Sequence, residues 1–200
     1  MATAVELLRW ERRRKMQVRE SFSAGLAHFR SAGGDAEAFY HACIDYLVPG
    51  QQRLIDQDRR LVDLLAPRVP AAQQADHQAM QALRGRLDLG AKSLKEFEAA
   101  AGQYRRAGRT GRADFEAAAA RFLDVLVNVL GARSHSLRHL TSTLLSDEDW
   151  QHIVDSTPAF TAAEAAAFAA VTAAAPAGAA PEDMAAQPGA PGAGPQRHAT

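Results

Sequence analysis

His135 and His139 stand four positions apart in LGARSHSLRHLTSTLLSDEDW, the stretch from Leu130 to Trp150. On a helix this spacing stacks two side chains one turn apart. Paired imidazoles are common ligands of zinc, iron and copper. Three further residues have types that could complete such a site: Glu11, Asp58 and His77. Against the metal reading stands a plainer one, in which His135 and His139 are two solvated residues on the outside of a helix. Nothing in the chain resembles a phosphate-binding glycine loop, a paired-cysteine zinc site or a nucleophile elbow. No nucleophile and base lie at a catalytic spacing, so the expectation is a protein that is not an enzyme.

Helical periodicity dominates the elements that must position these residues, and sustained strand-like alternation is absent. The pattern predicts four long helices. The first runs from Val5 to Ser31 and ends at Gly33-Gly34. The second runs from Asp35 to Ala66 with a kink at Pro49-Gly50, the third from Pro70 to Arg106, and the fourth from Ala113 to Leu145. Ser146 with Asp149 and Thr161 with Glu164 have the spacing of capping boxes, which predicts two short helices packed across the bundle end. The expected fold is therefore an all-α, antiparallel up-down-up-down four-helix bundle with two short C-terminal helices and a disordered tail. The bundle is assigned to residues 1–155, a short capping helix to 156–173, and an Ala/Pro/Gly-rich tail to 174–200.

LLSDEDW at the end of the last long helix, AFYHACIDYL in the second, and RLIDQD, LLAPRVP and ADHQAM across the next turn resemble the hemerythrin-like, or HHE cation-binding, domain. The resemblance covers Leu7 to Val154. It implies a four-helix bundle around a non-haem di-iron centre that binds oxygen or senses oxygen, nitric oxide or iron. The family's ligands are a histidine early in the first helix, His-x-x-x-Glu pairs late in the second and fourth, and a histidine near the start of the third. This chain departs from that pattern, because LIDQDRRL stands where the second helix would carry His-x-x-x-Glu.

Reflecting positions about the turns near Gly34, Arg68 and Gly108 brings Glu11, Asp58, His77 and His139 to one level of an antiparallel bundle. Facing is a separate test. Measured from the apolar centre of a continuous fourth helix, His139 points roughly 140° away and His135 roughly 180° away. Arg133 takes the inward position instead. The inward-facing polar set is then Glu11, Lys15, Arg19, Asp58, Asp76 and Arg133, whose mixed signs suit a structural ion-pair network. Two functional classes follow. One is a binding or sensing protein with a non-haem iron site built from some of Glu11, Asp58, His77, His135 and His139. The other is a metal-free bundle acting as a scaffold or small-ligand regulator, alone, as a homo-oligomer or with a protein partner.

Bulk composition narrows the partners. Lys plus Arg and Asp plus Glu number 23 each, which leaves no net field to attract nucleic acid or an anionic membrane. Arg12, Arg13, Arg14 and Lys15 read as a solvated helix face whose hydrocarbon stems lie on the bundle. Cys43, the single cysteine, reads as a core filler and fits a cytoplasmic location. Charges in MATAVELLRWERRRKM interrupt the N-terminus before a signal-peptide apolar run develops.

Overall fold

The computed structural model describes residues 3–131 and 137–181, and every regular element among them is helical. α1 (Ala4–Ala32), α2 (Glu37–Leu65) and α3 (Gln74–Ala107) are followed by a 3-10 turn (Gly108–Gly111) and α4 (Arg112–Val125). A π-helical turn (Leu126–Leu130), α5 (Arg138–Leu144), α6 (Asp147–Val154) and α7 (Pro158–Ala174) complete the order. No helix among the described residues is long and apolar enough to cross a membrane.

Local chemistry sets the helix ends. The Thr3 hydroxyl accepts from the Glu6 N–H at 3.2 Å, and the Glu6 carboxylate accepts from the Thr3 N–H at 2.8 Å, closing a capping box at the start of α1. Gly33 and Gly34 adopt φ of 74° and 91°, a region costly for residues bearing a Cβ. Arg112 then closes the end of α1 by donating to the carbonyls of Phe29 at 2.7 Å and Gly34 at 2.8 Å. α3 begins at Gln74, later than Pro70, because the reversal after α2 uses a tight turn in which the Gln73 N–H donates to the Pro70 carbonyl at 2.9 Å.

Consecutive long helices pack on one another, and α4 packs back on α1. The turns at Gly33-Gly34 and Gly108–Gly111 meet at one end over an aromatic cluster. There Phe97 stacks on Phe122 at 4.4 Å and Tyr104 on Phe115 at 4.7 Å. Glu116 threads this cluster. It accepts from the Tyr40 hydroxyl at 2.7 Å, Arg112 at 2.7 Å and Arg30 at 3.2 Å. Burial raises the Glu116 carboxyl pKa, but these donors more than offset it and hold the group below its ordinary value.

Three predicted elements need correction. The fourth long helix is not continuous: the Gly131 N–H reaches back five residues to the Leu126 carbonyl at 2.9 Å, and this wider turn changes the rotational phase before α5 begins at Arg138. The last helix starts four residues before the predicted cap, at Thr157, whose hydroxyl accepts from the Phe160 N–H at 3.1 Å with Pro158 in the first turn. It also lies lengthwise on α2 and α1, away from the bundle end, because Phe160, Glu164 and Phe168 form a stripe with interior partners. The segment assigned to a disordered tail is placed as far as Pro181, with Ala179 buried beside α1; residues 182–200 lie outside the described residues.

The Ser146 capping box does form. Asp149 also takes both outer nitrogens of Arg68, at 2.6 and 2.8 Å, which ties α6 to the α2–α3 turn. Arg68 holds the Asp149 carboxyl well below the usual carboxylate range.

Candidate functional site

Glu11, Lys15, Val18, Phe22, Leu26 and Phe29 form one buried line along α1, so the apolar stripe continues into two charged residues near its start. Glu11 is 1% exposed. Its carboxylate receives Arg53 through Nε at 3.1 Å and Nη2 at 3.2 Å, and the Gln57 amide at 3.0 Å. Arg53 and Gln57 lie one turn apart on α2, which lets both reach the same acceptor. Arg53 further donates to the Val154 and Asp155 carbonyls at the end of α6 and stacks over the Phe160 ring at 3.9 Å.

A second buried line on α1 runs Trp10, Arg14, Gln17 and Ser21. α7 and the segment ending at Pro181 cover it. Arg14, 7% exposed, sits 4.6 Å from the Trp10 ring and 4.3 Å from the Phe168 ring. It donates to Glu164 at 2.9 Å, and the other Glu164 oxygen accepts from the Tyr46 hydroxyl. Burial, reinforced by the Glu164 charge, pushes the Tyr46 phenol well above its ordinary range. The expectation of one solvated face for Arg12 to Lys15 is therefore corrected. Four successive residues sweep about 300° around a helix, so they cannot share a face, and Arg14 and Lys15 turn inward.

The predicted site residues separate into distinct contacts. Asp58 is half-buried and bonded to Arg12; burial raises its pKa and Arg12 opposes that shift. His139 is 61% exposed at its side chain, and its Nε2 lies 3.1 Å from Asp76 Oδ1. His77 Nε2 lies 3.3 Å from the Pro70 carbonyl oxygen. His135 and Arg133 lie outside the described residues. Among the described residues, no group of three or more His, Cys, Asp or Glu side chains is placed to hold a metal ion. Of the inward-facing set expected to pair, Arg133 lies outside the described residues; Glu11 and Lys15 are neighbours at 3.9 Å, and Arg53, Gln57, Arg12 and His139 supply the close partners of Glu11, Asp58 and Asp76.

Between α1, α2, α3 and the π-helical turn lies a cavity of about 210 Å³. Arg12, Lys15, Arg19, Gln51 and Asp58 contribute its polar lining, and Leu47, Ile55, Leu87, Leu126 and Leu130 much of the rest. Lys15 is 6% exposed, and its ammonium has no hydrogen-bond partner among the described residues. A Cβ on Gly50 would stand 2.8 Å from Lys15 Cε, so the glycine after Pro49 makes room for this side chain. Burial lowers the Lys15 pKa to about 8, with Glu11 and Glu164 opposing that fall.

Arg53, Gln57, Arg14, Tyr46 and Glu164 are the site residues that sequence reasoning missed. Glu164, Phe168 and Val171 supplied a signal, a buried helical stripe that the half-buried Phe160 extends within alanine-rich sequence. No family model, curated protein or solved structure matches the chain.

Proposed function

We propose that this chain is a hemerythrin-like, up-down-up-down four-helix bundle in which protein charge pairs replace the family's metal centre. It serves as a non-enzymatic binding module for a small molecule. The observation that carries this reading is the closure of Glu11. A carboxylate that bridges two metal ions needs its oxygens free for them, whereas both Glu11 oxygens already receive Arg53 and one also receives Gln57. Metal entry would strand the Arg53 guanidinium, 16% exposed, beside a cation. The adjacent cavity supplies a place for a ligand.

Metal analysis and visible absorption of protein purified after iron-replete expression test the proposal. The expected result is iron far below one ion per chain and no oxo-bridged di-iron absorption. Iron on the order of two ions per chain, the stoichiometry of a dinuclear bundle site, would overturn it.

A further inference from the structure

We infer that the cavity between α1, α2, α3 and the π-helical turn binds a small carboxylate with a short apolar tail. This inference rests on the metal-free reading above, since it assigns a ligand class to the same bundle interior.

The polar wall selects for an anion. Asp58 is the one carboxylate residue in that wall among the described residues, and Arg12 already neutralises it. Lys15 and Arg19 remain. The nearest carboxylate to Lys15, Glu11 at 3.9 Å, is occupied by Arg53 and Gln57. Arg19 has the exposed Glu20 at 3.5 Å, a solvent-screened contact that leaves it available. A buried ammonium lacking a hydrogen bond is costly, and a ligand oxygen beside Lys15 would remove that cost. An alcohol would answer only part of the charge, and an amine would add to the repulsion.

The apolar lining selects the tail. Leu47, Leu87 and Leu126 offer apolar surface with no charge to satisfy. A volume of about 210 Å³ holds roughly seven or eight non-hydrogen atoms at liquid packing, the size of hexanoate.

The full chain, labelled at its leucine methyls, is titrated by NMR with hexanoate, hexan-1-ol and hexylamine. Hexanoate is expected to shift the Leu47, Leu87 and Leu126 methyls and to bind at least ten-fold tighter than hexan-1-ol, with hexylamine weakest. Lys15→Met should weaken hexanoate at least three-fold more than it weakens hexan-1-ol, leaving only the preference that Arg19 supplies. Leu126→Phe, which fills the cavity and keeps Lys15, should weaken both. Equal binding of hexanoate and hexan-1-ol by wild-type protein overturns the inference, as does hexanoate that shifts none of these methyls. Both wild-type outcomes stand whether or not the variants fold. In iron-free protein they defeat the carboxylate assignment alone; dinuclear iron in the same preparation defeats the underlying reading as well.

Discussion

Glu164 accepts from Arg14 and Tyr46 at once, so its removal leaves a guanidinium and a phenol facing each other in the interior. Glu164→Ala should cost about 1–3 kcal/mol, the range for removing a buried acceptor from its donors. Glu164→Gln should cost less, because an amide oxygen still accepts from Arg14. Urea unfolding of both variants measures this, and an alanine cost near zero would show that the pair contributes nothing. Single residues were the least legible part of the sequence. Glu11 and Asp58 could be placed inward because each falls on an apolar stripe of its own helix. Arg53 and Arg14 could not, since their burial depends on Phe160 and Phe168 arriving from a remote helix. Helical periodicity reports the face of one element and is blind to what later covers the opposite face.

Thr157 and Thr161 both precede a helical run, yet only Thr157 caps α7. Thr157→Ala should destabilise by about 1 kcal/mol, and Thr161→Ala by no more than a few tenths. Thermal or urea unfolding ranks the two, and the reverse order would place the helix start at Thr161. This position was misread because Glu164 has the spacing of a capping-box partner, while Tyr46 and Arg14 claim its carboxylate. The long helices were more legible. Gly33-Gly34 marks the end of α1 by backbone conformation alone, and Ser146 with Asp149 marks the start of α6 by a local exchange of hydrogen bonds. The π-helical turn at Leu126–Leu130 left no such local signal, although His139 beyond it is exposed, as its rotation from the apolar centre predicts.

At the scale of the whole molecule, buried titratable groups make stability depend on pH. Lys15 falls from 10.5 to about 8 on folding, and the groups acting on it are Glu11 and Arg12 from α1, Arg53 from α2 and Glu164 from α7. Between these values the unfolded chain holds the extra proton, so this contribution raises stability as pH increases. Burial raises Cys43 above 9.0 and Tyr46 above 10.0, and those groups lower stability once the unfolded chain begins to lose their protons. Comparison with a variant isolates the lysine. Lys15→Met should exceed wild type in stability at pH 7, and the gap should close by about 2 kcal/mol between pH 7 and pH 10. Urea unfolding at intervals across that range provides the check; a constant gap would mean that Lys15 keeps its ordinary pKa when folded. The Arg14–Glu164 pair also bears on biosynthesis. Its members are 150 positions apart, so a ribosome adding roughly 5–20 residues each second makes Arg14 some 8–30 s before Glu164. Throughout that interval the nascent chain holds a cation destined for an interior that has not yet been translated.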